Sequence, residues 1–231
     1  ILTTQTPHHA WFVRELAQSR PDLLVLEETR AVQPGFDTRH PFEDERDRLE
    51  AEAWFQGRVP ALGELAACEA FPSLNDAEAV ARLRAFAPEA AVVFGTGRLG
   101  PGVIACCPEG MANLHGGDPE RYRGLDTHLW AIYHKDFQSL VTTLHRINPR
   151  LDDGEIILQE QLRPAPGAAL AELRMTNTEV CLRLATAGLA ALEESGAYPS
   201  REQRAKGRYY SFMPAPLKDI CMQNFKRWSC A

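Results

Sequence analysis

Residues 111–136 read MANLHGGDPERYRGLDTHLWAIYHKD, and the reading of this stretch decides the fold. Asn113 and His115 stand one residue apart in an apolar run. In an extended strand, residues i and i+2 project to the same face, so an amide and an imidazole would point together beyond the strand. The strand runs into the turn-forming HGGDPERYRG and then into an aromatic segment with helical spacing. Taken alone, the pattern also describes a strand end whose histidine caps a turn. The flanking sequence decides between the two.

Just upstream, residues 90–94 (AAVVF) make a buried strand that runs straight into GTGRLGPG at 95–102. Glycine-rich turns at the carboxyl end of such a strand are where doubly wound folds bind ligands, because the backbone can approach closely. Gly95, Gly97 and Gly100 spell GxGxxG, but Pro101 and Gly102 follow where a helix should open, so this is not a dinucleotide fingerprint. The VIACC run at 103–107, together with 111–115, reads as a fourth extended region that brings Asn113 and His115 to the same sheet edge.

Further upstream, residues 1–4 look like the end of a first strand whose beginning is missing. Residues 8–18 (HHAWFVRELAQ) have helical apolar spacing, and residues 22–27 carry a Leu-Leu-Val-Leu run suited to a strand covered on both faces. Strand, helix, strand implies a parallel, doubly wound sheet. Residues 42–55 (FEDERDRLEAEAWF) form a charged helix with sparse apolar positions. It reads as a solvated helix lying on the body, with a substrate lid or subunit contact as the alternative. Asn75 and Glu78 resemble a capping box for a helix ending before Pro88.

Downstream, residues 140–147 (LVTTLHRI) and 155–161 (EIILQEQ) read as two strands flanking the turn NPRLDDG. Thr176 and Glu179 offer a second capping box, for a helix reaching about Glu194 with Val180, Leu184, Ala187 and Ala191 as its apolar stripe. The aromatic, proline-punctuated residues 207–228 look like an ordered tail. The expected organisation is a catalytic domain at 1–161 with a C-terminal helix and tail at 162–231 packed on it.

The chain has 231 residues, long enough to bury a real core, and 25 basic against 31 acidic residues leave a net charge of −6. The charges are interspersed, which argues against a nucleic-acid partner. No apolar run approaches the roughly 20 residues needed to span a bilayer, and ILTTQTPHHAWF is not a signal peptide, so no membrane partner is expected and the chain reads as cytoplasmic. The cysteines at 68, 106, 107, 181, 221 and 230 form no CxxC pair, so neither a disulfide framework nor a metal site is expected. Cys106 and Cys107 look like buried thiols.

An amide, an imidazole and a carboxylate gathered at one sheet edge suit acyl transfer to an amine. Asn113 could donate to the developing oxyanion. His115 could act as general base or, protonated, stabilise that oxyanion, and Asp152 could orient it or relay its proton. No elbow motif places a nucleophilic Ser or Cys beside them, which favours direct transfer without a covalent intermediate.

The run Asn113-Leu114-His115, then Tyr122-Arg123-Gly124, then His145 seven positions before Asp152, then Leu151-Asp152-Asp153-Gly154-Glu155-Ile156-Ile157, resembles the folate-dependent formyltransferases. These include the glycinamide ribonucleotide, methionyl-tRNA and sugar N-formyltransferases. The resemblance covers residues 90–161 well and the first third in topology only. It implies an α/β Rossmann-like core with a mostly parallel sheet, followed here by a small C-terminal helical and aromatic extension. It implies Asn113, His115 and Asp152 as a catalytic triad and 10-formyltetrahydrofolate as donor, with tetrahydrofolate as product. The pterin would be held by the glycine turn at Gly95, Gly97, Arg98 and Leu99 and by residues 148–154, with Asp152, Asp153 and Gly154. A small-molecule primary amine would be the acceptor, with His8, His9, Tyr122, Arg123 and His145 as its candidate contacts. One of His8 and His9 could instead cap the first helix.

The departures from the family pattern narrow the acceptor. Thr3 to His9 replaces the phosphate loop of the glycinamide ribonucleotide enzymes, Gly116-Gly117-Asp118-Pro119 replaces the usual SLLP, and residues 162–231 are too few for a tRNA enzyme's barrel. A stand-alone enzyme acting on an amino sugar nucleotide or another small amine is the reading that remains. The alternatives are a formyltetrahydrofolate hydrolase, whose amino-terminal regulatory domain is missing here, and a non-catalytic folate-binding protein. The helix at 42–55 and the aromatic tail offer contact surfaces for a homodimer.

Overall fold

The short apolar runs become strands of a sheet covered on both faces, in a computed structural model that describes residues 1–31, 33–148 and 152–230. β1 (Leu2–Thr3) leads through α1 (Pro7–Ser19) to β2 (Leu24–Glu28), and α2 (Pro41–Phe55) follows before β3 (Ala67–Phe71). α3 (Ala77–Phe86), β4 (Ala91–Phe94), α4 (Pro101–Ile104) and β5 (Met111–His115) complete the parallel half. Then come β6 (Tyr122–Gly124), α5 (Thr127–Tyr133), β7 (Val141–Arg146), β8 (Ile156–Gln161), α6 (Leu173–Ser195), β9 (Arg208–Tyr210) and α7 (Ala215–Ser229).

The main sheet runs in the order β3-β2-β1-β4-β5-β7-β8. β1 to β5 are parallel, and β7 and β8 add antiparallel strands at one edge. The chain steps outward from β1 to β3 and then crosses back to β4, so the carboxyl ends of β1 and β4 diverge into a crevice. Alternation along β4 serves both faces. Val92 and Phe94 join the larger core with Phe12 and Leu144, while Ala91 and Val93 join the smaller one with Leu26, Leu83 and Met111. α6 and α7 close the larger core, to which Val180, Cys181, Leu184, Cys221 and Phe225 contribute.

Several sequence expectations are corrected. VIACC is not a strand: Gly100 caps α4 and Pro101 occupies its first turn, where a missing N–H costs nothing, so the glycine turn does open a helix, of a single turn. Neither capping box forms. Asp76, not Asn75, is the N-cap of α3, and α6 starts at Leu173, which leaves Thr176 inside it. The buried face of α6 is Asn177, Val180, Cys181, Leu184, Ala185 and Gly188, whereas Ala187 is exposed. Cys107 is buried but Cys106 only half-buried. β3, an edge strand with mostly half-buried residues, has too little apolar character to stand out in sequence. α2 is more than a solvated helix, because Glu50 on it is 0% exposed.

Candidate functional site

β5 ends at the crevice and delivers Asn113 and His115 on the face that also carries Met111. Antiparallel pairing sets His145 of β7 directly across from Asn113. The Asn113 amide Nδ2 donates to His145 Nε2 at 3.1 Å, and His145 Nδ1 donates to the Arg146 carbonyl at 2.9 Å, which fixes the ring's tautomer. One of the two N–H groups on Nδ2 is thereby engaged, and among the described residues no hydrogen bond engages the other.

Asp152 enters from the β7–β8 loop with φ at 47°, a left-handed conformation that costs a non-glycine residue energy. Its Oδ2 accepts the Gly124 N–H at 2.7 Å, while Oδ1 lies 3.7 Å from His115 Nδ1 and 3.6 Å from His145 Nε2. Burial alone would raise this carboxyl. His115, His145 and the Gly124 N–H outweigh it and hold the group well below the usual carboxylate range, so Asp152 stays ionised.

His115 is 5% exposed, and its Nε2–H donates to the Tyr122 carbonyl at 2.9 Å. Burial lowers its pKa below the ordinary 6.5, and Asp152 opposes the shift. The neutral ring therefore presents its Nδ1 lone pair toward an anion that would stabilise the protonated form. A side chain at Gly117 would press on this ring, because a Cβ there would stand 2.9 Å from His115 Nε2. The Gly-Gly in place of the bulkier sequence thus lets the turn fold tightly over the imidazole.

These groups line a cavity of about 910 Å³ that also reaches residues 4–9 and the glycine turn. Gly95 has φ at 80° and sits on the His9 ring, where a Cβ would come within 2.3 Å of Cε1. Glu28 accepts the Gly97 N–H at 2.6 Å, and Asn75 bridges the Arg98 carbonyl and the Gly100 N–H. Asn75 is therefore a brace for the turn, not a helix cap. Leu99 turns its side chain into the smaller core.

His8 and His9 both line the cavity, and neither caps α1: Thr6 accepts the His9 N–H as N-cap. Burial first, then the charge on Arg174, lowers His9 to about 3 and His8 well below 6.5, so both are neutral. The Tyr122 side chain turns away, stacking on Tyr210 and donating to Asp136 at 3.1 Å, so its carbonyl is what reaches the site. Arg123 is buried beside Asp153, its Nη2 3.7 Å from Oδ1. Neither Tyr122, Arg123, Asp153 nor Gly154 is among the residues lining the cavity. Gly154 packs on the Arg146 backbone, where no side chain would fit. Residues 149–151, including the Leu151 of the family motif, lie outside the described residues.

Sequence reasoning passed over Arg46, His128, Arg174 and Asn177, which also line the cavity, and Gln203, which holds the Asp152 loop. Arg174 and Asn177 left a signal, since two polar residues stand three apart on α6, Asn177 buried and Arg174 half-buried. Among the described residues no cluster of His, Cys, Asp and Glu is spaced to hold a metal ion, and no helix is long and apolar enough to cross a membrane.

The chain is similar to solved structures of low identity. A sugar N-formyltransferase from a Shewanella species matches with TM-score 0.64 and 14% identity, covering 96% of this chain and 85% of that one. The formyltransferase PseJ from Anoxybacillus kamchatkensis, solved with UDP-4,6-dideoxy-4-formamido-L-AltNAc and tetrahydrofolate, matches with TM-score 0.52 and 18% identity, covering 81% and 84%. In sequence, the methionyl-tRNA formyltransferase of Acidobacterium capsulatum is 32% identical over 133 residues, 57% of this chain and 42% of that protein. The chain spans less than half the length of the curated relatives it matches first. The formyl transferase family model matches residues 55–179, over half of the sequence and including Asn113, His115 and Asp152, and the chain belongs to that family.

Proposed function

We propose that the chain transfers a formyl group from 10-formyltetrahydrofolate to the primary amine of a small acceptor, an amino sugar nucleotide. The observation that carries this reading is the convergence of Asn113, His115 and an ionised Asp152 on one cavity wall. The cavity's volume is within the range that holds a cofactor-sized ligand, about 300–1,000 Å³. Its glycine turn, braced by Glu28 and Asn75, presents backbone for a flat ring to lie against.

When bound, the donor supplies an electrophilic formyl carbon. As the amine adds to that carbon, the Asn113 N–H left over from His145 stabilises the charge growing on the formyl oxygen. His115 Nδ1 takes the amine's proton, and Asp152 steadies the resulting imidazolium. The new C–N bond forms, the bond to the donor nitrogen breaks, and that nitrogen recovers a proton from His115. Atoms and charge balance without a covalent enzyme intermediate.

The sugar-nucleotide acceptor is supported by the Shewanella and Anoxybacillus structures. The aminoacyl end of methionyl-tRNA is the second reading, favoured by the sequence relative. The net charge of −6 weighs against a polyanionic partner. Mixing the chain with 10-formyltetrahydrofolate and a panel of amines, and following tetrahydrofolate release, tests the reading. Amine-dependent release supports it, amine-independent release indicates hydrolysis, and no release overturns it.

A further inference from the structure

One wall of the cavity carries two guanidinium groups that take no part in the chemistry at His115. Arg46 from α2 and Arg174 from α6 both line it. They converge on a single oxygen, since Asp47 Oδ1 lies 3.1 Å from Arg46 Nη2 and 2.5 Å from Arg174 Nη2. Arg46 Nε also donates to that oxygen at 3.2 Å, and Arg174 forks onto the two oxygens of Glu50, at 2.7 Å from Nε and 2.5 Å from Nη2.

The carboxylates thus occupy the Nε and Nη2 edges of both arginines. Among the described residues, no hydrogen bond engages Nη1 of either one. Glu43 Oε1, at 3.8 Å from Arg46 Nη1, is beyond hydrogen-bond range. Two cations so close together repel, and burial followed by the Arg174 charge lowers the pKa of Arg46. Arginine still keeps its proton, and a rigid, fully charged fork is the side chain best suited to a phosphoryl or carboxylate group.

Glu50 is the unusual part of this arrangement. A carboxylate with no exposed surface on an otherwise polar helix is weak evidence for stability. Its effect here is to hold the Arg174 fork in place. Position adds a second argument. Asn177 lies three residues from Arg174 on α6, and its Nδ2 is 3.9 Å from where a Cβ on Gly116 would stand. One helical turn therefore joins the arginine pair to the residue that follows His115.

We propose that Arg46 and Arg174 anchor, through their Nη1 edges, an anionic phosphoryl or carboxylate group of the amine acceptor. The assignment to an acceptor rests on the formyl-transfer reading, whereas the anion subsite is measurable without turnover. Calorimetry on the 231-residue chain with UDP, inorganic pyrophosphate and succinate tests it in wild type, Arg46→Gln and Arg174→Lys. The lysine keeps a cation against buried Glu50, and a thermal melt verifies folding.

At least one anion should bind wild type and weaken about tenfold or more in each variant, while tetrahydrofolate binding stays within about twofold. UDP and pyrophosphate selectivity identifies a phosphoryl site, and succinate selectivity a carboxylate site. Unchanged anion affinity in both variants, or no anion binding by wild type at concentrations on the order of millimolar, overturns the subsite. Arginine-dependent anion binding by a chain that takes up no tetrahydrofolate would keep the subsite and overturn the transfer reading.

Discussion

Gln203 donates its side-chain amide to the carbonyl of Asp152 at 2.9 Å and to that of Gly154 at 2.8 Å, so the segment before β9 grips the loop that carries the site's carboxylate. Asp152 sits at positive φ, a conformation that persists only where its surroundings over-determine it. The Gly124 N–H holds the carboxylate itself, and Gln203 holds the backbone at Asp152 and at Gly154 just after it.

Gln203→Ala should therefore act more on catalysis than on folding. Two neutral hydrogen bonds contribute about 1 kcal/mol each, and the buried Oε1 of Gln203, which has no hydrogen-bond partner among the described residues, offsets part of that. The expected loss is about 1–2 kcal/mol in a urea titration, with kcat down roughly 10- to 100-fold through misplacement of Asp152. A variant with wild-type kcat would show that the grip does not position the carboxylate.

On the proposed mechanism, His115→Ala and Asp152→Asn should each lower turnover by at least about 100-fold with the far-ultraviolet circular dichroism unchanged. The two variants differ in one respect. Asp152 raises the pKa of His115 against the larger lowering from burial. Wild-type kcat/KM should rise through a value below 6.5 and level off near neutrality. In Asp152→Asn the acid limb should move to lower pH, because the anion favouring imidazolium is gone. A limb that stays put or moves up would rule out His115 as the titrating base.

The strands of the parallel core were legible because each buried run is a compact apolar word, and period-2 alternation put Asn113 and His115 on one face correctly. β3 was not legible, since an edge strand need not be apolar. The two supposed capping boxes failed for different reasons: Asn75 is used in bracing the glycine turn, and Thr176 lies inside a helix that a one-turn 3₁₀ segment had already begun. Arg46, Arg174 and Gln203 reach the site from the helix at 41–55 and from beyond residue 161. Only the folded chain brings them together, because no local spacing encodes a contact across 124 residues such as that between Arg174 and Glu50.

Acidification should unfold the chain in a definite window. His9 and His128 are neutral in the fold, their pKa values pressed down by burial to about 3 and about 4 from an ordinary 6.5. A depressed folded pKa contributes stability that is present above the unfolded value and lost as pH falls toward the folded one. Asp152, also depressed, adds a loss at lower pH still. The urea midpoint should be flat above about pH 7 and fall steadily from about 6.5 to 4. A midpoint that rises on acidification would contradict the neutral assignment of these rings.

Two glycines at nearly the same φ give a contrast within one protein. Gly95 (φ 80°) has the His9 ring where its Cβ would be, at 2.3 Å, whereas for Gly167 (φ 77°) nothing among the described residues lies within 4 Å. Gly167→Ala should cost only the left-handed backbone strain, about 1–2 kcal/mol. Gly95→Ala carries the same strain and must also displace His9, whose Nδ1 is tied to Thr4 in the turn between β1 and α1. It should lower the melting temperature further and weaken tetrahydrofolate binding, since the turn that frames the cavity moves with it. Equal effects of the two substitutions on stability and on folate affinity would show that the His9–Gly95 contact does not shape the cavity.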